Sequence, residues 1–225
     1  MDAKTFVSEL ANICLEGVFN PYANHCEIYD LPDAASVRKN NLIDYLNSVE
    51  RSNTDTIWMG RDLGHRGGRR TGLALTDESH FCCVTSCYPG STPKRATKGP
   101  EFVERTATEI WNVIKILEIP PLLWNVFPFH PHLPEHPLTN RRFTTRELKC
   151  VDELNRELIA WLGISRIITI GQDAAKYAST LGVSVETVRH PSYGGIKEFR
   201  AGINKLYQLE IKEEACPFQG SLFET

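Results

Sequence analysis

The sequence predicts an α/β fold, three-layer α/β/α, with a central four-stranded parallel sheet. Two observations carry this expectation. Four short runs rich in apolar and β-branched residues, at 56–60, 122–126, 166–170 and 183–188, have the length of strands. Longer segments between them place apolar residues at helical spacing, and strands alternating with helices form parallel βαβ units. Ligands of such sheets bind beyond the carboxyl ends of the strands. Functional residues are therefore expected at or just after Gly60, Asn125, Gly171 and His190.

The elements follow in chain order. Residues 5–17 predict a helix, with Phe6, Val7, Leu10, Ile13 and Cys14 on one face, and residues 35–49 a second, with Val37, Leu42, Leu46 and Val49. Residues 1–52 thus read as a helical part packed on the sheet. The strand at 56–60 leads into a long glycine-rich loop. A helix at 106–117, closed by Pro120-Pro121, precedes the strand at 122–126. Residues 144–162 predict the clearest helix, opened by Thr144 with Glu147 three residues on and ended by Gly163. The strand at 166–170, a helix at 172–181, the strand at 183–188 and a helix at 196–206 complete the set. With no internal repeat or low-complexity tract, one domain over 1–225 is expected, with a flexible or loosely packed tail at 213–225.

Composition narrows the class. At 41% hydrophobic and 24% charged residues the chain is ordinary for a globular protein, and no stretch reaches the roughly 20 apolar residues of a bilayer span. The N-terminus lacks the basic and apolar regions of a secretory signal. Seven cysteines without paired spacing match neither a zinc ribbon nor an iron–sulfur run, so reduced thiols and a cytoplasmic location are expected. The net charge of −3 argues weakly against a nucleic-acid partner, but charge is locally basic. Arg61, Arg66, Arg69 and Arg70 lie among glycines, and Arg141 and Arg142 lie in a loop rich in proline and histidine. The glycine-rich loop lacks the Gly-Lys-Ser/Thr ending of a P-loop. Gly171-Gln172-Asp173 reads as a helix cap, and His130, His132 and His136 as DNA-facing loop residues rather than zinc ligands.

Three segments carry a specific resemblance. Gly60-Arg61-Asp62-Leu63-Gly64 runs on through Arg66-Gly67-Gly68-Arg69-Arg70 to Thr71-Gly72. The run from Leu123 to Pro131 contains Asn125, and His190-Pro191-Ser192 follows the last strand. In this order, each after a predicted strand, they resemble the motifs of the uracil-DNA glycosylase superfamily, over roughly residues 55–207. The resemblance implies a uracil-DNA glycosylase-like fold without an iron–sulfur cluster. It also implies hydrolysis of the N-glycosidic bond of uracil or a related deaminated base in DNA, by base flipping and water attack.

The chemistry accounts for these residue types. Breaking that bond builds positive charge on the sugar and negative charge on the base. Asp62 is the candidate carboxylate beside the sugar, and His190 the candidate donor to the departing base. Asn125 offers an acceptor and donors on one plane, as the edge of a flipped base requires. Gly60, Gly64 and Leu75 complete the candidate pocket. Leu75 stands where the family places an aromatic, which removes a stacking contribution of roughly 1–3 kcal/mol. Gly64 leaves room at the 5-position of a pyrimidine. Arg66, Arg69, Arg70, Arg141, Arg142 and Ser192 are the expected phosphate contacts, and Tyr193 the residue available to fill the stack. DNA is the expected partner, with no metal or cofactor, no membrane and a monomeric chain. Two alternatives stay open: a nucleic-acid-binding protein of the same fold without catalysis, and a glycosylase for hypoxanthine or xanthine.

Overall fold

Asp2 starts the first helix, α1 (Ala3–Asn12), by accepting from the Lys4 and Thr5 amides at 2.9 and 3.0 Å. Phe6, Val7 and Leu10 form its buried face. The helix stops short of the predicted Gly17. The Asn20 amide takes the carbonyls of Leu10 and Ile13 at 2.7 and 2.9 Å and turns the chain towards a short strand, β1 (Val18–Phe19). Helix α2 (Ala34–Ser52) then packs on α1. The structure, a computed structural model, describes residues 1–209, so the expected tail at 213–225 lies outside the described residues.

Strand β2 (Thr56–Asp62) follows, with Ile57, Trp58 and Met59 fully buried. The predicted glycine-rich loop contains two short helices, α3 (Gly68–Thr71) and α4 (Phe81–Cys87), before α5 (Arg105–Ile114). Strands β3 (Leu122–Phe127) and β4 (His130–Pro131) come next. The segment predicted as one helix over 144–162 forms two, α6 (Thr145–Lys149) and α7 (Asp152–Trp161). Thr144 and Glu147 make the expected capping box. The amides of Cys150 and Val151 then bond three residues back, to Glu147 and Leu148, which tightens the turn and drives Val151 into the core. Strand β5 (Arg166–Ile170), α8 (Gln172–Ala178), β6 (Ser184–Val188) and α9 (Ile196–Tyr207) close the described chain.

The sheet has the order β3-β2-β5-β6, and its four strands are parallel and flanked by helices; the parallel four-stranded sheet is the one the sequence predicts. Trp58 packs against Phe199 of α9 and donates to Tyr207 Oη at 2.8 Å, while Trp124 meets Phe6 of α1. At the β3 edge, the Leu123 amide donates to Tyr45 Oη at 2.7 Å, so this edge group is not left bare. A second sheet pairs β1 with β4 and ties the N-terminal part to the loop after β3. Among the described residues no helix is long and apolar enough to cross a membrane.

The turn after α3 needs its glycine. Gly72 has φ +73, and a Cβ there would sit 2.9 Å from Arg38 Cβ and 3.2 Å from the Arg38 carbonyl oxygen. Tyr22 Oη also donates to the Gly72 carbonyl at 2.9 Å, so the turn cannot move away freely. Left-handed strain costs about 1–2 kcal/mol, and the clash adds to it. Gly72→Ala is expected to lower stability by about 3 kcal/mol in urea unfolding. A loss within about 0.5 kcal/mol would mean that the turn relaxes.

Candidate active site

Register brings the first residues of the site together. Gly60 on β2 pairs with Asn125 on β3, and Asp62 pairs with Phe127 two residues further along. A Cβ on Gly60 would overlap Asn125 Oδ1, so the glycine makes space for the amide. Asn125 is only 1% exposed, and its Oδ1 is buried without a hydrogen-bond partner among the described residues. An unpaired buried polar atom costs about 1–3 kcal/mol, a cost that a ligand offering a donor would remove. Asn125, Asp62, Gly64, Leu75, His190, Ser192 and Tyr193 all line one cleft of about 480 Å³ at the carboxyl end of the sheet. Leu75 reaches it from a backbone with φ +54. Thr71 Oγ1 holds its loop by donating to the Thr76 carbonyl and accepting from the Leu73 amide.

Asp62 is the last residue of β2 and its carboxylate is nearly buried. Arg61 Nε donates to it at 2.6 Å, and the same guanidinium reaches Asp173 at 3.3 Å. Burial pushes the Asp62 carboxyl above its usual range, with Arg61 opposing and Asp173 adding to the rise. Asp173 does not cap α8 as expected, nor does Gln172, since no side-chain cap bond forms there and Gly171 occupies the cap position. Asp173 instead joins Arg61 and Arg142 in an ion-pair cluster, Arg142 lying 3.1 Å away.

His190 follows β6. Gly171 lies against it, with φ +92 and an ideal Cβ only 3.3 Å from that of His190. The Ser192 amide donates to His190 Nδ1 at 3.1 Å, and Ser192 Oγ lies 2.8 Å from the same nitrogen. An amide can only donate, so Nδ1 is an acceptor and the ring proton of the neutral form sits on Nε2. Burial, then the charges of Arg61 and Arg189, lower the His190 pKa and keep the ring neutral at pH 7. Ser192 therefore serves the histidine, the first of the two roles the sequence suggests for it: ordering the turn after His190 or touching a phosphate. Tyr193 is 96% exposed at φ +51, projecting from the cleft rim.

Among the cleft residues that the sequence reading did not assign to the site, Asn140 and Glu104 stand out. Asn140 Oδ1 accepts from the His65 amide at 3.3 Å and meets His130 Nε2 at 3.1 Å, joining both loops to the cleft wall. Glu104 packs its carboxylate against Gly64 and Gly67. Burial, then repulsion from Asp77, raises its pKa to about 7, with Arg66 and the Gly67 amide opposing. The signal was faint, a lone acid just before a helix. The raised value has a consequence for stability. Between the ordinary carboxylate pKa and 7 the folded chain binds more protons than the unfolded one, so stability falls as pH rises through that window. Glu104→Gln is expected to remove this slope and to be more stable than the parent at pH 8 by about 2 kcal/mol. Parallel urea curves for the two proteins from pH 5 to 8 would refute it.

Most of the expected phosphate contacts are engaged internally. Arg69 is 2% exposed, donates to Tyr29 Oη at 2.6 Å, lies 2.8 Å from His130 Nδ1, and sits 3.8 Å from the Phe19 ring centre. Arg70 is buried on Glu78 at 3.2 Å and Thr97 Oγ1 at 2.6 Å. Arg141 grips Glu147 at 2.6 Å and the carbonyls of Gly17 and His132. These three are corrections, since their donors are spent on the fold. His130 is likewise buried rather than DNA-facing, and burial holds its pKa at about 3. Arg66 is exposed without an ion-pair or hydrogen-bond partner among the described residues, and Arg142 is exposed beside Asp173. These two remain suited to phosphates.

No family model matches the chain, and no curated protein does. Among solved structures, wild-type SMUG2 of Pedobacter heparinus is similar, with a TM-score of 0.60 and 15% identity. The match covers 92% of this chain and 94% of that one. The fold is thus uracil-DNA glycosylase-like, with the candidate residues at its strand ends.

Proposed function

We propose that this protein is a monofunctional DNA glycosylase that removes uracil or a related deaminated base. The observation that carries the reading is the buried Asn125 amide oxygen, unpartnered in a cleft that also holds Asp62 and His190. A flipped base offers the ring N–H that this oxygen lacks, and its neighbouring carbonyl can accept from the amide nitrogen. The Asp62 carboxylate stabilises the sugar cation and orients the attacking water. His190 donates its Nε2–H to the base oxygen as charge builds there, and a neutral imidazole can do this without becoming charged. No Schiff base is needed, so no lysine takes part. The likeness to SMUG2 supports the fold half of this argument.

Leu75, in place of an aromatic, keeps hypoxanthine and xanthine as second candidates beside uracil, while the Glu104 carboxylate occupies the space beside Gly64. Fluorescent oligonucleotides carrying one of these bases, single-stranded or paired, are incubated with the protein and treated with alkali. Scission at the altered base, lost in His190→Ala, is the expected result. Silence on all three bases by a protein that still binds DNA would leave the binding-only alternative.

A further inference from the structure

A second recess of about 370 Å³ adjoins the cleft, and His65 and Arg66 line both. We propose that it is a subsite for the nucleobase next to the excised one in single-stranded DNA. The strand's identity rests on the glycosylase reading, but the recess stands on its own geometry.

Its wall carries two aromatic rings, Tyr29 and Phe102. The Arg70 guanidinium lies 4.4 Å from the Tyr29 ring centre and 4.9 Å from that of Phe102. Glu78 neutralises Arg70, so this layer acts as a flat surface rather than as a free cation. Phe102 is 41% exposed and Ile28 59%, an unusual display of large apolar groups on a charged surface. Free charge stands at the rim. Lys98 and Arg66 are exposed, and neither has an ion-pair partner among the described residues. Stacking surfaces with unpaired cations at their rim match a single strand, whose bases present π-faces and whose phosphates alternate with them. Arg66, shared by the two cavities, is placed to hold the phosphate that joins the flipped nucleotide to its neighbour. A base can enter the recess only after leaving its own stack and partner. The subsite therefore favours single strands over duplex.

The test measures binding to the full chain by fluorescence anisotropy. The ligand is a labelled seven-nucleotide DNA with a central, uncleavable 2′-fluoro-2′-deoxyuridine. Two further oligomers replace the 5′ or the 3′ neighbour with an abasic tetrahydrofuran. Loss of one neighbouring base is expected to weaken wild-type binding about tenfold. Phe102→Ala should bind the intact strand about tenfold more weakly and ignore that same loss. Lys98→Gln should reduce the slope of log affinity against log salt by about 0.7. Phe102 lies outside the buried core, so its truncation leaves the fold in place. An equal response of wild type and Phe102→Ala to base removal overturns the subsite, as does failure to bind any of the strands. Because only binding is read, absence of cleavage on every base sinks the glycosylase reading without touching this one. Cleavage without a neighbouring-base effect does the reverse.

Discussion

On the proposed glycosylase reading, Asp62→Asn is expected to lower the single-turnover rate of base release by about 10²–10⁴-fold and to leave oligonucleotide affinity within a few fold. The amide keeps the shape of the carboxylate and can still accept from Arg61, so the end of β2 stays in place. It loses the negative charge. On the proposed mechanism that nearly buried charge stabilises the sugar cation and accepts a proton from the attacking water, and both are lost with it. Rapid-quench kinetics with anisotropy in parallel separates rate from affinity. A variant within about fivefold of the parent would show that Asp62 merely closes the turn with Arg61.

Arg38→Met is expected to destabilise the fold by about 3–5 kcal/mol. Arg38 is 0% exposed and pairs with both oxygens of buried Asp30, at 2.9 and 2.7 Å. It also donates to the carbonyls of Pro21 and Asn24. Methionine retains much of the packing against Gly72 but strands a buried carboxylate and two carbonyls. Adding Asp30→Asn should recover part of the loss, because the stranded charge disappears. The midpoints of urea unfolding for the parent, the single and the double variant check this. A single-variant loss below about 1 kcal/mol would mean that water reaches Asp30. The pair holds residues 21–38 together, and Tyr22 Oη fastens them to the Gly72 carbonyl in the turn that precedes Leu75.

Much of the fold was legible because its signals are local. The runs at 56–60, 122–126 and 166–170 are apolar and β-branched enough to exclude other readings, and the structure extends the first two by only one or two residues. The break at Cys150 and Val151 was not legible, because nothing in their side chains forbids a helix. The decision came from the core position of Val151. Charge was read least well. Arg69, Arg70 and Arg141 look like Arg66 in a list of residues. Yet the first finds Tyr29, 40 residues away, and the last finds Glu147, only 6 away.

The sequence by itself determined the parallel sheet, the order of its strands in the chain and the polar residues at their ends. Hydrophobic periodicity and turn chemistry are properties of short segments. Only the tertiary structure decided that Asn125 shares a cleft with Asp62 and His190 while its own oxygen goes unpaired. It also decided that Ser192 sets the histidine tautomer, that Glu104 closes the pocket behind Gly64, and that Arg66 has no ion-pair partner among the described residues while Arg69 and Arg70 are engaged. Each depends on which groups meet across long stretches of chain. Burial and pairing there set the charge and hydrogen-bonding state of a side chain, and composition carries no record of them.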